Sequence, residues 1–421
     1  MHLSRSALLK AILAILVALV PFSPGILPQE KSPEPPPTRV LFIGNSYTYF
    51  NNLPEIFTQL AVFGRQDRIE TRMVAPGGWR LKDHWEQGET RRALRERKWN
   101  YVVLQEQSML GISFFLDGRP RVSSDEVFRP YARKWAAEVR KAGAIPIFYL
   151  TWARKANPED QAALNYIYMR AARENGAQVA PVGIVWAQVR EQQPILELYV
   201  ADGSHPSPAG SYLAACTLYA TIFHQSPAGL PGRIAGFPIN YDTAKVETDR
   251  LALLVDLPMD LAQSIQNAAW TAWQQLQENG GYLDLNPVPV PAPAPLPSGM
   301  PLSAADLEGT WSGDLLFYSP PSLPSEMVLE LHRKGSSWKG HLQLHLHSKD
   351  QTDRSFDLVN LHVGGQTLTF TDPKGMQDRS VQYRGVCAQP GELRGTAEAV
   401  VEQPDFPVRR LGSWQLHKKK P

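Results

Sequence analysis

The sequence predicts two folded units of different class, a three-layer α/β unit followed by a smaller antiparallel β-barrel or β-sandwich. In the first part of the chain, short continuous apolar runs alternate with helical patterns, which indicates parallel strands buried on both faces. A proline-rich run at residues 287–301 then interrupts this alternation. Beyond it, short strand patterns separated by Gly and Pro turns are typical of an antiparallel sheet.

Length and composition are those of an ordinary globular protein. The 421 residues suggest two or three domains, at about 150 residues each. The 43 basic and 41 acidic side chains leave a net charge of +2, which gives no electrostatic reason to expect a nucleic-acid partner. Two cysteines, Cys216 and Cys387, exclude a disulfide-stapled scaffold and a cysteine-rich zinc site. Cys216 lies in an apolar helical run, so we expect it in the core and not in catalysis.

Residues 1–27 are predicted to be a signal peptide or an N-terminal anchor. The segment Met1–Arg5 carries positive charge, and the stretch from Ala7 to Val20 is apolar apart from Lys10. This apolar core is short for a membrane span and fits a signal peptide. We therefore expect export to the periplasm or the exterior, with membrane contact only if the segment is not cleaved. A Pro-rich spacer follows at residues 28–37.

The α/β unit is predicted to cover residues 38–283. Its strands are predicted at residues 40–43, 71–75, 101–104, 145–150 and 179–185. Its helices are predicted at residues 53–63, 90–98, 127–142, 158–175 and 209–223, with further helical patterning over 243–279. This alternation predicts a parallel sheet with helices on both faces.

The second unit is predicted to cover residues 302–417, after a proline-rich linker at residues 284–301. Alternating prolines in the linker favour polyproline II and separate the two units. The predicted strands cover residues 314–318, 327–332, 338–347, 356–363, 367–371, 381–386, 393–401 and 412–416. We expect this β unit to be an accessory module for binding or packing.

Ser46 is the first candidate site residue, in the segment Ile43-Gly44-Asn45-Ser46-Tyr47-Thr48 after the first predicted strand. Active sites of open α/β sheets gather beyond the carboxyl ends of the strands. A serine on a strand-to-helix turn can present its hydroxyl outward, with helix N-terminal amides close by. The alternative is that Ser46 is simply the N-cap of the helix.

Asp202 and His205 form the second candidate, in Asp202-Gly203-Ser204-His205-Pro206-Ser207-Pro208. An Asp three residues before a His can accept the imidazole Nδ1 proton, which leaves Nε2 free to act as a base. Ser207-Pro208 fits an N-cap followed by proline at the first helical position. The alternative is a solvated polar loop.

Two further strand ends offer hydrogen-bond donors for a developing oxyanion. The segment Leu104-Gln105-Glu106-Gln107-Ser108 supplies side-chain amides after the third strand. Pro76-Gly77-Gly78, after the second strand, offers a backbone N–H for the same role. Each pattern is weak alone, because Gly and polar residues often follow strands.

In their order along the chain, these segments resemble the SGNH hydrolases, also called the GDSL lipase/esterase family. The family's Gly-Asp-Ser appears as Gly44-Asn45-Ser46, in a form similar to a bacterial branch of the superfamily. Its second-block glycine matches Gly77 or Gly78. Its closing Asp-x-x-His appears as Asp202-Gly203-Ser204-His205. The resemblance covers about residues 38–230 and implies a flavodoxin-like α/β/α fold.

The third block departs from the family pattern. The family has Gly-x-Asn-Asp there, whereas this chain has Gln105-Glu106-Gln107-Ser108. Counting from the strand places Gln107 at the asparagine position. Sialate-acetylesterase-like relatives carry Gln-Gly-Glu instead, which favours Gln105. Either glutamine is therefore a candidate for the third oxyanion donor.

The resemblance implies hydrolysis of carboxylic esters through an acyl-enzyme. Ser46 would be the nucleophile, His205 the base and Asp202 the group that holds the imidazolium. The oxyanion hole would combine the Ser46 N–H, an N–H of Gly77 or Gly78, and one glutamine amide. No metal or cofactor is implied.

We expect a small-molecule or glycan ester substrate, in particular a carbohydrate O-acetyl ester. The alternatives are a lipase or lysophospholipase of the same superfamily, and a non-catalytic binding protein on this fold. The altered third block is the one feature that favours the non-catalytic alternative. The sequence leaves the oligomeric state open.

Other polar and aromatic residues near the strand ends are weaker candidates for substrate or metal contact. They are Asp83, His84, Glu86, Trp152 and Arg154. A solvated helix start is the expected role of the first three, and burial is the alternative for Trp152.

A histidine stripe in the β unit is the remaining candidate. His341, His345 and His347 fall on one face of a predicted strand. His-x-His on a strand can bind zinc or copper. We expect a solvent-facing polar stripe instead, since no acidic third ligand is obvious nearby.

Overall fold

The computed structural model describes residues 36–66, 68–317, 325–346, 353–373, 380–401 and 408–419. The predicted signal or anchor segment lies outside these residues. In chain order the strands are β1 (Thr38–Ile43), β2 (Ile69–Val74), β3 (Tyr101–Leu104), β4 (Ser113–Leu116), β5 (Arg119–Pro120), β6 (Ile145–Tyr149), β7 (Gln178–Ala180), β8 (Arg233–Gly236), β9 (Ile239–Asn240), β10 (Lys245–Val246), β11 (Ala252–Asp256), β12 (Gly309–Leu316), β13 (Ser325–Lys334), β14 (Ser337–His345), β15 (Arg354–Asp357), β16 (Val359–Gly364), β17 (Thr367–Asp372), β18 (Val381–Gln389), β19 (Glu392–Val401) and β20 (Val408–Lys418). The helices are α1 (Ser46–Tyr49), α2 (Leu53–Phe63), α3 (Leu81–Gln87), α4 (Glu89–Arg95), α5 (Phe128–Lys141), α6 (Asp160–Asn175), α7 (Val182–Gln192), α8 (Pro208–Phe223), α9 (Met259–Glu278) and α10 (Ala304–Leu307).

A five-stranded parallel sheet organises the first unit, in the order β2–β1–β3–β6–β7. Its central strands are buried on both faces, as β1 shows. Val40 and Phe42 belong to the core on one face, while Leu41 and Ile43 belong to the core on the other. Helices cover both faces, so the predicted three-layer α/β class is confirmed.

Residues 179–185, predicted as one strand, divide between a strand and a helix. β7 ends at Ala180, and α7 begins directly after Pro181. Proline supplies no N–H to a sheet ladder and is well tolerated at a helix start. The buried apolar residues that follow recur at helical spacing: Val182, Val185, Trp186 and Val189.

The helical patterning predicted over residues 243–279 is a helix only from Met259 to Glu278. The apolar run before it forms β11, which pairs antiparallel with β8. Pro258 lies between the two elements as the residue before α9, and proline cannot continue a strand ladder. The helix start expected at residues 83–86 lies within α3, and the hairpin β4–β5 is absent from the prediction.

The second unit is a nearly closed antiparallel barrel-like sheet. Its strand order is β15–β14–β13–β12–β20–β19–β18–β17–β16. Alternate side chains fill the interior, among them Trp311, Leu342 and Leu416. The prediction of an antiparallel β class is confirmed, with the strand predicted at residues 356–363 divided into β15 and β16.

A hairpin from the α/β unit extends the sheet of the second unit. β4 pairs in parallel with the first residues of β20, next to the place where β12 ends. At the hairpin turn, Asp117 Oδ1 accepts hydrogen bonds from Ser413 N and Ser413 Oγ, both at 2.8 Å. Residues 283–299, between the two sheets, contain no helix or strand.

Among the residues that the structure describes, no helix has the length and apolar character needed to cross a membrane.

Candidate active site

The turn between β1 and α1 presents Ser46 at the carboxyl end of the sheet. A side chain at Gly44 would place a Cβ 2.3 Å from Thr48 Oγ1 and 2.4 Å from Gln105 Oε1, so only glycine fits. Asn45 is the N-cap, and its Oδ1 accepts a hydrogen bond from the Tyr47 N–H at 3.1 Å. Ser46 is therefore not the capping residue, and its hydroxyl is left for other contacts.

Ser46, His205 and Asp202 form one hydrogen-bonded chain, although Ser46 lies 159 residues from His205. Ser46 Oγ lies 2.9 Å from His205 Nε2, and His205 Nδ1 lies 2.5 Å from Asp202 Oδ2. Since a carboxylate only accepts, Nδ1 donates to Asp202, and Nε2 can accept the Ser46 hydroxyl proton.

Backbone amides hold the Asp202 carboxylate in this position. Its Oδ1 accepts the N–H groups of Ser204 at 2.8 Å and His205 at 2.9 Å. Partial burial raises the pKa of Asp202, but the hydrogen bonds from the His205 ring and from these two amides outweigh it and bring the pKa below its usual range. Asp202 is therefore a carboxylate at neutral pH.

Aromatic rings enclose the His205 imidazole. Phe50 stacks on it at 4.3 Å between ring centroids, and Tyr47 meets it edge-on at 5.7 Å. Tyr47 in turn stacks on Trp152 at 4.5 Å, and the Trp152 indole N–H donates to the Ser204 carbonyl. These contacts fix the orientation of the ring beside Ser46.

Two side chains tie the Ser46 segment to the His205 segment. The Tyr47 hydroxyl lies 2.7 Å from Ser204 Oγ. Asn51 Nδ2 donates to the Pro206 carbonyl at 3.0 Å, and the Tyr241 hydroxyl donates to Asn51 Oδ1. Asn51 has a φ of 53°, a left-handed conformation that asparagine tolerates better than most residues.

The candidate backbone donors for an oxyanion border a cleft of about 440 Å³, which Ser46 and His205 also line. The backbone N–H groups of Ser46, Gly77 and Gly78 have no acceptor among the described residues. Gly77 and Gly78 both line the cleft, and Gly78 has a φ of 73°. Three residues with unpaired backbone N–H groups therefore border the cleft.

The two candidate glutamines have different positions. Gln105 is fully buried, where its Oε1 accepts from Asn45 N at 2.8 Å and its Nε2 donates to Asn45 Oδ1 at 3.0 Å. Gln107 lines the cleft. Its Oε1 accepts from Met109 N at 2.8 Å, and its Nε2 donates to Ser108 Oγ at 3.4 Å. Gln105 therefore supports the Ser46 turn, whereas Gln107 is the glutamine that borders the cleft.

Comparison with known proteins places this chain in a family. No family model matches the chain, and neither does any curated protein. Among solved structures, the chain is 30% identical to a Slackia heliotrinireducens protein that is described as an SGNH hydrolase. That match covers 44% of this chain and 99% of the other, with a TM-score of 0.38.

This chain belongs to the SGNH hydrolase superfamily. It is also similar to a DUF4886 family protein from Bacteroides uniformis, at 18% identity over 56% of this chain and 94% of the other, with a TM-score of 0.39. A third similar structure is an acetylxylan esterase from Geobacillus stearothermophilus, at 14% identity over 44% of this chain and 94% of the other, with a TM-score of 0.35. As a superfamily member, the protein is a hydrolase.

The helix start at residues 83–86 of this SGNH hydrolase does not line the cleft. Asp83 is bound to Arg80, and Glu86 accepts the Tyr131 hydroxyl at the surface. His84 is fully buried, with Nε2 2.7 Å from the Gly44 carbonyl and Nδ1 2.7 Å from Thr90 Oγ1. The expectation of a solvated helix start is therefore wrong for His84.

The protonation of His84 follows from its contacts. A carbonyl only accepts, so Nε2 carries the proton, and Nδ1 accepts the hydrogen bond of the Thr90 hydroxyl. Burial lowers the pKa of His84 to about 4, against smaller opposing effects of the Gly44 carbonyl and Asp83. A neutral imidazole thus holds the carbonyl two residues before Ser46.

Glu106 holds the backbone of the altered third block, residues 105–108, in place. Its carboxyl group is fully buried, and burial raises its pKa to about 8. Its two oxygens lie 2.7 Å from Gln107 N and 3.2 Å from Leu81 N. The carboxyl group thus fixes the backbone of Gln107 and connects it to the start of α3.

The other predicted residues are distributed as follows. Trp152 is fully buried, whereas Arg154 lines the cleft. Cys216 is buried in α8, where burial raises the pKa of its thiol far above the usual range. At the start of that helix, Ser207 Oγ accepts from Gly210 N and Pro208 is the first helical residue, as predicted.

The histidine stripe of the β unit makes pairwise contacts. His341 Nδ1 lies 2.9 Å from Asp357, and His345 Nδ1 lies 2.9 Å from Asp353. His347 lies outside the described residues. No group of three or more His, Cys, Asp or Glu side chains suited to a metal ion occurs in the described part of the chain.

Sequence reasoning missed several residues of the site. Phe50 and Tyr241 line the cleft, and Asn51 and Tyr47 connect its two halves. Tyr241 is 51% exposed and lies in a loop far along the chain, so no local pattern marks it. The two adjacent asparagines after α1, both at positive φ, are the one local signal of an unusual turn there.

Proposed function

We propose that this SGNH hydrolase is a serine esterase in which Ser46 is the nucleophile, His205 the general base and Asp202 the group that orients it. The observation that carries the proposal is the continuous hydrogen-bonded chain from Ser46 Oγ through His205 to Asp202. A base within hydrogen-bond reach of a hydroxyl, itself oriented by a carboxylate, is the arrangement that activates a serine.

In the first step, Ser46 Oγ adds to the ester carbonyl while His205 Nε2 takes its proton. The tetrahedral intermediate then expels the alcohol, which leaves with the proton from His205. Water attacks the resulting acyl-serine, and His205 takes a proton from that water. Collapse of the second intermediate releases the carboxylic acid and returns the proton to Ser46.

The negative charge of each intermediate needs donors that are already in place. The unpaired N–H groups of Ser46, Gly77 and Gly78 can supply them without breaking existing hydrogen bonds. We propose Gln107 Nε2 as the side-chain donor, because Gln107 borders the cleft and Gln105 is enclosed below it. Gln105 would act by positioning the Asn45–Ser46 backbone.

We propose that the substrate is a carbohydrate O-acetyl ester. The exposed Tyr241 offers a ring face on which a sugar can stack, while Gln107, Ser108 and Arg154 offer hydrogen-bond donors. A long acyl chain needs a continuous apolar channel. The aromatic residues of this lining are interrupted by Gln107, Ser108 and Arg154, which disfavours such a channel. The lipase alternative is therefore an outcome of the test.

The first experiment assays the full chain on p-nitrophenyl acetate, butyrate and decanoate, beside Ser46→Ala and Ser337→Ala. Ser337 is exposed in a hairpin of the β unit and is the matched control. A fluorophosphonate probe is added to parallel samples. We expect Ser46→Ala to lose both turnover and labelling, and Ser337→Ala to keep both.

The outcomes separate the hypotheses. Hydrolysis that survives in Ser46→Ala, or folded wild-type protein that neither labels nor turns over, refutes the serine mechanism. Preference for decanoate over acetate replaces the acetylesterase proposal with the lipase alternative. Release of acetate from acetylated oligosaccharides supports the carbohydrate assignment.

We also propose that the protein is exported, because residues 1–27 combine a positively charged start with an apolar stretch. Expression of the full chain followed by cell fractionation and N-terminal sequencing tests this. A mature N-terminus near residue 28 in the periplasm or medium is expected. Protein that keeps Met1 and stays in the cytosol contradicts export.

A further inference from the structure

Arg154 is a positively charged residue at the edge of the catalytic cleft. It lies in the loop after β6 and lines the same cleft as Ser46 and His205. Its side chain is half-buried, and its Nη2 donates to Ser108 Oγ at 3.1 Å. Its Nε is enclosed and has no hydrogen-bond partner. Most of the hydrogen-bonding capacity of this guanidinium is therefore unused.

Comparable arginines of this protein have compensating partners. Arg80 is bound to Asp83, Arg121 to Asp160, and Arg170 to Asp125. Arg91 and Arg190 instead lie over aromatic rings, each about 5.2 Å from a ring centroid.

Arg154 has neither kind of partner within the part of the chain that the structure describes. Partial removal of a charge from water without a counter-charge is costly, so an anionic ligand that pairs with Arg154 would offset this cost.

A second groove continues from Arg154, with a volume of about 520 Å³. It is lined by Arg119, Lys155 and Asn157, and by residues 201–203. Arg119 is exposed and makes no ion pair with any described residue, whereas Lys155 is paired with Glu197. The acidic side chain in the groove, Asp202, is already held by His205. The groove therefore presents net positive charge.

The two spaces share Arg154, so a ligand that extends beyond Ser46 on this side must pass the guanidinium. The planar fork of arginine matches the two oxygens of a carboxylate and also suits a sulfate group. An uncharged acetylated sugar would leave Arg154 unpaired. A sugar that bears an anionic oxygen group next to the ester would supply the partner that the chain lacks.

We propose that the alcohol portion of the substrate carries an anionic oxygen group, carboxylate or sulfate, which Arg154 binds and Arg119 attracts. This inference rests on the proposed esterase function and specifies its substrate class. Arg154 is a specificity determinant here, since it contacts the substrate away from the ester carbonyl. Arg119, at the exposed end, acts through long-range attraction that salt weakens.

The test compares three O-acetylated methyl glycosides on the full chain: of glucose, of glucuronic acid and of glucose 6-sulfate. These substrates differ only at carbon 6. We expect kcat/KM for an anionic ester to exceed that for the neutral ester by about 10-fold or more, mainly through KM. The preference should fall as salt rises from 0.02 to about 0.5 M. The better of the two anionic esters identifies the group.

Variants connect this preference to the residues. Arg154→Gln should reduce the charged-to-neutral ratio of kcat/KM to about one, and Arg154→Lys should restore part of it, because the charge returns without the fork. Arg119→Gln should reduce the ratio about 3-fold and weaken its salt dependence. Arg133→Gln, at an exposed position of α5, is the matched control and should keep the ratio. A ratio is measured so that any general loss of activity cancels.

Failure of this inference differs from failure of the proposed function. Ser46-dependent hydrolysis of p-nitrophenyl acetate with a charged-to-neutral ratio near one overturns the anionic substrate and leaves the esterase intact. An unchanged ratio in both Arg154 variants has the same consequence. Absence of Ser46-dependent turnover on every ester overturns the esterase and this inference together.

Discussion

The buried His84 predicts a specific loss of stability in acid. His84 supports the carbonyl of Gly44, and burial lowers its pKa from 6.5 to about 4. Between these two pH values the unfolded chain binds a proton at this position and the folded chain does not. The free energy of unfolding therefore rises with pH across this window, and the contribution is lost as the pH falls from 6.5 to about 4. At about 1.36 kcal/mol per pKa unit, it amounts to about 3 kcal/mol.

The variant His84→Gln tests this prediction. Its amide can still donate to the Gly44 carbonyl but takes up no proton. We expect wild-type protein to lose about 3 kcal/mol more unfolding free energy than the variant between pH 7 and 4. Glu106 acts in the opposite direction, because a carboxyl pKa raised to about 8 makes stability fall as the pH rises from 4.5 to 8. Both proteins contain Glu106, so the comparison cancels its effect.

Two measurements check this expectation. Urea unfolding at several pH values gives the free energies, with His332→Gln at an exposed position as the control that should behave like wild type. Ring NMR signals give the titration directly, and the signal that disappears in His84→Gln should stay that of a neutral imidazole down to about pH 5. A ring that titrates near pH 6.5, or equal acid losses in wild type and His84→Gln, would refute the argument.

Three further predictions concern the site and the hairpin. Asp202→Asn should lower kcat about 10³- to 10⁴-fold in ester assays with little change in unfolding free energy, because the amide cannot hold the required tautomer of the imidazole; a loss below 10-fold contradicts this. Gln107→Ala should lower kcat about 100-fold and leave the unfolding free energy unchanged. Gln105→Ala should lower kcat and also lower the unfolding free energy by about 2 kcal/mol. The reverse pattern would exchange the roles of the two glutamines. Asp117→Ala should lower the unfolding free energy in urea by about 2 kcal/mol, because two hydrogen bonds to Ser413 are lost at a residue with positive φ. Asp117→Asn keeps an acceptor and should lower the unfolding free energy by less than half of that amount.

The sheet could be predicted from the sequence because its strands are short apolar runs. β1 contributes alternate residues to two cores, and a strand buried on both faces carries no polar alternation that could hide it. The error at residues 179–185 arose where an apolar run is compatible with both strand and helix. Only the helical spacing of the buried residues after Pro181 distinguishes a helix from a strand here, and tertiary packing determines which residues are buried.

The site was predictable to the extent that its chemistry is local. Asp202 and His205 are three residues apart, so their pairing follows from one turn of chain. The contacts that hold the Ser46 turn are not local, because His84 contacts the Gly44 carbonyl from 40 residues further along the chain. A buried histidine looks like a surface histidine in a sequence until the fold encloses it. Tyr241 and Asn51 are likewise separated by 190 residues of chain, so their contact is not visible in any local pattern.

The residues of the altered third block each have a separate structural contact. Gln105 holds the backbone of Asn45, and Glu106 holds the backbone of Gln107. Gln107 borders the cleft, and Ser108 accepts a hydrogen bond from Arg154. Buried polar groups without partners are costly, so these contacts show that the altered block is built into the fold. The departure at residues 105–108 is therefore compatible with the proposed site, and it connects the proposed oxyanion donor to the proposed anion-binding arginine through adjacent residues.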